Sequence, residues 1–255
     1  MNSIKRQWPD LGIRQRLLLA GEKILSQQGL SDAKIRQFTV EAGSANISAI
    51  HYHFGSVDAF LEIVCALRQP RISKLSQDCR KQVGDYFGAR SQLPLQAQVY
   101  CVVAPQLALV AETWPSCFAC SLMDVLNADG YHQGIFARYR DWGGVLSSGY
   151  DTMQAHLATL LGEQEAAERL LLTQATLSGS VREIEGELRR FRDRPSKVDF
   201  ASICRELTES VSAALLQDFY QPSARDFYDL FDQLPIRPGH PLTGTEADPL
   251  TQERP

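Results

Sequence analysis

What most constrains the fold of this chain is the spacing of its apolar residues. From residue 13 onward they recur every three or four positions and form no strand-and-hairpin series. That spacing lines one side of an α-helix, while glycines and prolines set where each helix stops. An all-α fold is therefore predicted. The first helix is expected over 13–28, with Ile13, Leu17, Ala20, Ile24 and Leu25 turned inward and Gly29 as its C-terminal cap. A second is expected to start at Ser31 or Asp32 and end at Gly43, burying Ile35, Phe38 and Ala42. A third begins near Asn46 and carries Ile47, Ile50 and Phe54. Ser56 caps a fourth, whose inner side is Phe60, Ile63, Val64 and Leu67, and Pro70 interrupts it.

Beyond residue 92 the predicted helices are longer and more apolar. Pro94, Pro105, Pro115, Gly130, Gly143 and Gly144 are the expected joints. Two segments stand out, 163–190 and 196–219. The latter opens on Ser196 as a cap and aligns Phe200, Ile203, Leu207, Val211, Ala214 and Leu215. From Pro235 the run PIRPGHPLTGTEADPLTQERP is rich in proline and polar residues, and disorder is expected. The expected organisation is a flexible basic arm over 1–12, a helical domain over 13–66, a larger one over 67–234 and a tail over 235–255.

The net charge of −4 is unevenly spread. Residues 1–82 carry 12 Lys+Arg against 7 Asp+Glu, and the remainder carries 14 against 23. A basic first third suggests a polyanion partner for that part alone, although compositional drift gives the same balance. No apolar run approaches the roughly 18–20 residues of a membrane span, so no membrane partner is expected. The opening MNSIKRQWPDLGIRQR lacks an apolar signal core, and six cysteines without one suit a reducing compartment. A cytoplasmic location is expected. No phosphate-cradling glycine loop, metal-ligand cluster or nucleophile with an assigned base is apparent, so neither enzyme chemistry nor a cofactor is expected.

The stretch NISAIHYHFGS at 46–56 sets two histidines and a tyrosine among core-forming residues. On a helical wheel Ile47, Ile50 and Phe54 share one side, while Ser48, Ala49, Tyr52 and His53 point away and His51 lies on the flank. Helices joined by a turn after glycine, the later one with a small, polar and aromatic outer face, follow the helix-turn-helix plan. Small residues such as Ser48 and Ala49 let a helix approach base edges. Asn46, His51, Tyr52 and His53 offer hydrogen bonds to phosphates or bases. A metal site is disfavoured, because residues two apart lie about 200° apart on a helix. A histidine beside a phosphate is held protonated, so duplex affinity is expected to fall as pH rises.

The run from Arg14 to Val64 resembles the DNA-binding domain of the tetracycline-repressor (TetR) family of transcriptional regulators. The residues that carry the likeness are Ala20-Gly21, Ile24-Leu25, Gly29, Ile35 to Phe38, Glu41-Ala42-Gly43, Ala49 to Ser56 and Asp58-Ala59-Phe60. The segment between Gly43 and Phe54 is one residue longer than the family pattern. Val57 stands where a lysine is common, and His51 replaces a tyrosine or asparagine. The resemblance implies a three-helix helix-turn-helix DNA-binding domain followed by a larger helical effector-binding and dimerisation domain. It implies a homodimeric, ligand-responsive repressor on a pseudo-palindromic operator in double-stranded DNA. Tyr52 and His53 would then contact phosphates, with Ser48, Ala49 and Asn46 near base edges. Arg36 is a phosphate candidate or an ordinary surface charge. Lys5, Arg6, Arg14 and Arg16 could form an arm toward the backbone or minor groove, and disorder without function accounts equally for Lys5 and Arg6.

By the same resemblance a small-molecule effector is expected among the aromatic residues of the middle region. The candidates are Trp114, Phe118, Met123, Phe136, Tyr139, Trp142 and Tyr150. Helices near 163–190 and 196–219 would form the dimer interface. Two alternatives stay open. One is an interaction protein of this fold that has lost specific DNA binding. The other is a thiol-responsive sensor using Cys117 and Cys120, although two small buried residues of a packed helix are the better account of that CxxC.

Overall fold

A computed structural model describes residues 4, 9–88, 92–113, 118, 120–122, 140–190 and 198–216, with backbone alone at 30, 31 and 140–148. Among the described residues the secondary structure is helical, with no strand. The bounded helices are α1 (Ile13–Asp32), α2 (Ile35–Glu41), α3 (Ala49–Phe54), α4 (Val57–Ala66), α5 (Gln69–Phe87), α6 (Leu95–Thr113), α7 (Arg140–Leu161), α8 (Glu163–Arg190) and α9 (Phe200–Leu216). The residues up to Leu216 form one compact unit. The expected tail over 235–255 lies outside the described residues.

Local sequence explains most of these ends. Gly29 breaks the helical path of α1 at φ 74°, a backbone state that side chains with a Cβ rarely adopt. The expected caps at Ser31 and Asp32 are corrected. Lys34 precedes α2, and its N–H donates to the Gln37 side chain at 2.7 Å. Ser56 caps α4 as expected, accepting from the Ala59 N–H at 3.0 Å. Pro70 sits in the first turn of α5, where its missing N–H costs nothing. Asp199 caps α9 through the Ser202 N–H at 3.0 Å, while the expected cap Ser196 falls outside the described residues.

Three expected joints are also corrected. Pro105 lies inside α6, and Gly143 and Gly144 lie inside α7. Val102, Val103, Leu107 and Val110 are buried on both sides of Pro105, and their packing outweighs the one backbone bond that proline withholds.

Two main cores result. The first joins Leu17, Ala20 and Leu25 of α1, Phe38 of α2, Ile50 of α3 and Phe60 and Val64 of α4, and it also takes in Ile4 and Leu122. The second surrounds α6, which packs against α5, α7, α8 and α9. Its buried residues include Val99, Val103, Met153, Leu157, Leu177, Val181, Val211 and Leu215.

Buried polar groups tie the two cores together. Glu22 of α1 is fully buried and takes two bonds from Arg68, Nε to Oε1 at 2.7 Å and Nη2 to Oε2 at 2.8 Å. Burial pushes the Glu22 carboxyl up from its ordinary range, and the Arg68 bonds oppose that push. Glu185 of α8, also fully buried, accepts from the backbone N–H groups of Cys120 (3.1 Å) and Ser121 (2.9 Å) and from the Ser121 hydroxyl. Leu122, one residue on, belongs to the first core.

Candidate nucleic-acid interface

The surface around α2 and α3 is built from its turn. Gly43, at φ 69°, ends α2 by donating to the Val40 carbonyl (3.0 Å), while Ser44 N–H reaches back to Thr39 (2.8 Å). Those two bonds make a Schellman turn, which needs a left-handed residue where glycine stands. Side chains then complete the path to α3. Ser44 Oγ accepts from the Asn46 N–H (3.1 Å), and Asn46 Oδ1 accepts from the Ser48 N–H (2.9 Å).

This turn corrects the expected third helix, which starts at Ala49 instead of Asn46. Ile47 therefore lies in the turn, outside the helical period, and is 55% exposed. Ala49, expected at base edges, is buried in the first core beside Ile50. The Asn46 carboxamide oxygen, expected near base edges, is committed to the turn. Ser48 and Tyr52 face solvent as expected; His51, expected on the flank, is exposed, His53, expected to point away from the core, is half-buried, and Arg36 on α2 is exposed.

Rings connect this surface to the core. Phe38 and Phe54 each lie edge-on to Phe60, at centroid distances of 5.2 and 5.1 Å. His53 stands edge-on to Phe54 at 6.4 Å and to Tyr52 at 4.9 Å. The series holds the Tyr52 ring in place although 83% of that residue is exposed. The Arg14 guanidinium sits 5.1 Å from the Phe54 ring centroid, within cation–π range.

The charges are distributed differently from expectation. Arg16, expected in a basic arm, donates to the carbonyls of Ala42 (3.0 Å) and Leu11 (2.6 Å). Lys23 pairs with the buried Glu41 at 2.7 Å, and Arg71 pairs with Glu112. Lys74 and Lys81 pair with Asp78 and Asp85 along α5. Arg14, Lys34 and Arg36 form no ion pair with the described residues. Lys5 and Arg6 lie outside them. Two apolar groups, Val40 (61% exposed) and Ile47, join the same turn-and-helix surface and were not anticipated. The pair Asn46…Ser48, an Asx-turn signal, is the sequence clue that places Ile47 outside the helix.

Of the expected effector residues, Trp114, Met123, Phe136 and Tyr139 lie outside the described residues, as does the Trp142 side chain. Phe118 is buried with the Arg189 guanidinium 4.5 Å above its ring. Tyr150 packs on the second core, and burial pushes its phenol up to about 12. Neither lines the open cleft of about 770 Å³ between the start of α6 and the end of α7, whose lining includes Gln98, Asp151 and His156. Gln98 Nε2 bridges the Leu93 carbonyl (2.8 Å) and His156 Nδ1 (2.7 Å) there. Among the described residues no helix is long and apolar enough to cross a membrane, and no cluster has the arrangement of a metal site. No protein-family model matches the chain, and no curated protein is significantly similar to it.

Proposed function

We propose that this protein is a sequence-specific DNA-binding transcriptional regulator, a dimeric, ligand-responsive repressor on a pseudo-palindromic operator. The observation that carries this reading is the outer face of α3. A six-residue helix anchored by Ala49 and Ile50 leaves Ser48, His51 and Tyr52 in solvent. Those side chains suit phosphate oxygens and base edges, and Val40 and Ile47 suit thymine methyl groups. Arg14, Lys34 and Arg36 supply nearby cations. Leu171 and Leu172 on α8, 67% and 68% exposed, with Leu216 on α9, give apolar groups that a two-fold pairing of these helices would cover. Such a dimer sets two α3 helices on one side of a duplex. An effector acts only through unequal affinity for two states of the second core, a coupling of roughly 1–3 kcal/mol.

One observation favours the rival interaction-protein reading. Residues 9–66 carry five Lys+Arg against six Asp+Glu, a weak field for a polyanion. Selection of duplexes from a random pool with the full chain at low salt separates the two. An inverted repeat, bound with an affinity that falls steeply with salt, is the expected result. Recovery of no preferred sequence leaves the interaction protein.

A further inference from the structure

The DNA-binding reading makes no use of the cleft of about 770 Å³ between the start of α6 and the end of α7. Asp151, Ala155, His156 and Thr159 fall on one side of α7 at helical spacing and line it, while Leu93 and Gln98 supply the wall at α6. Small-molecule sites commonly span roughly 300–1,000 Å³, but most residues lining this one are polar and none is lysine or arginine. Asp151 is exposed and forms no ion pair with the described residues. Hydrogen bonds fix what the rest of the wall offers. Gln98, 5% exposed, donates from Nε2 to the Leu93 carbonyl at 2.8 Å, and the same nitrogen lies 2.7 Å from His156 Nδ1. Turning the carboxamide round would set its oxygen against the Leu93 oxygen. An amide nitrogen only donates, so His156 Nδ1 is the acceptor and the ring proton sits on Nε2. That N–H forms no hydrogen bond with the described residues, and the buried Gln98 Oε1 has no partner among them. Thr159 donates its hydroxyl proton to the His156 carbonyl at 2.7 Å, which leaves its lone pairs as acceptors.

We propose that this cleft binds a small hydroxylated amine of the amino-sugar kind. The ammonium group pairs with Asp151, the one charged carboxylate of the lining. A hydroxyl both accepts and donates, so the ligand's hydroxyls can take the His156 Nε2–H and satisfy Gln98 Oε1, whose burial without a partner costs free energy. An anion meets Asp151 and no lysine or arginine, and an apolar ligand strands the His156 and Gln98 groups. A ligand bonded to both walls ties the start of α6 to the end of α7, so its binding raises the stability of the folded chain. Occupancy of the cleft does not depend on DNA binding, and the test contains no duplex.

The probe is glucosamine, titrated at neutral pH into the full-length protein with isotope-labelled histidine rings and followed by nitrogen NMR and by Tm. The His156 signals are assigned by their loss in His156→Gln. The expected result is a free protein with the His156 proton on Nε2, a saturable shift of that ring with glucosamine, and a rise in Tm. N-acetylglucosamine, which lacks the cation, and cyclohexylamine, which lacks the hydroxyls, should each bind at least roughly fivefold more weakly. Asp151→Asn should weaken glucosamine by a similar factor, and its exposure lets the variant fold. Asp85→Asn removes an exposed carboxylate of α5 outside the cleft and leaves the affinity unchanged. A His156 proton on Nδ1, no saturable shift with glucosamine, equal binding of the three compounds, or an equal loss in both aspartate variants overturns the proposal.

Discussion

Replacing Gly21 and Gly84 by alanine applies one chemical change to two helices and should give opposite results. In an open helix interior, alanine in place of glycine stabilises by about 1 kcal/mol. A Cβ at Gly84 on α5 meets nothing within 4 Å, so Gly84→Ala should show that gain. A Cβ at Gly21 on α1 meets Val64 Cγ2 at 2.6 Å, Phe60 Cζ at 2.9 Å and Val64 Cγ1 at 3.2 Å. Carbon atoms pack best near 3.5–4.0 Å, so α1 and α4 must separate by about 1 Å or the side chains must leave their wells. Val64 is β-branched and 1% exposed, and Phe60 is fully buried, so neither has room to yield. Overpacking of this kind costs about 1–3 kcal/mol. Both variants share the propensity gain, so their difference isolates the steric cost. At the upper end, roughly 3 kcal/mol, it corresponds to a Tm gap of about 6–12 °C in a chain of this size. Urea unfolding and thermal scans followed by circular dichroism read it directly. A Val64→Ala background removes both methyl contacts and should shrink the Gly21→Ala penalty by about 1 kcal/mol or more. If Gly21→Ala is as stable as Gly84→Ala, the close approach of α1 to α4 is wrong, and with it the support beneath α3.

Further outcomes follow from exposed and buried groups elsewhere. On a selected duplex, Arg36→Ala should lower the slope of log affinity against log salt by about 0.9, while Tyr52→Ala should weaken binding at unchanged slope because its ring is neutral. Both are exposed, so each should change stability by less than about 0.5 kcal/mol, and an unaltered slope for Arg36→Ala marks an ordinary surface charge. Leu171→Glu with Leu172→Glu should give folded monomers in sedimentation velocity; a persisting dimer places the interface elsewhere. Burial raises the Glu22 carboxyl in the folded state, so the unfolded chain gives up that proton first. Its contribution to stability is therefore greatest at low pH and declines as pH rises from about 4.5 toward the higher folded value. The stability difference between the wild type and Glu22→Gln should fall over that range in a urea series, and a flat difference refutes the burial argument.

How far the fold is legible in the sequence depends on the range of the interaction that decides each feature. The all-helical class, the break at Gly29, the Ser56 cap and both ends of the 163–190 helix are set within a turn or two of chain, and all are readable there. The start of α3 is also local, but it is written in turn chemistry. The Ser44–Asn46–Ser48 bonds delay the helix, which puts Ile47 in solvent while Ala49 packs beside Ile50, a reversal that apolar spacing alone could not indicate. Charge shows the opposite limit. The basic excess of residues 1–82 is plain in composition, yet part of it is offset by pairing with an acid far along the chain, Arg71 with Glu112. The same holds for Cys79 and Cys101, which no local motif joins and which share one apolar cluster only because α5 and α6 pack side by side. The outer face of α3 combines both kinds of information. Its side chains are readable one by one, but their exposure rests on a turn and a ring series that only the folded chain brings together.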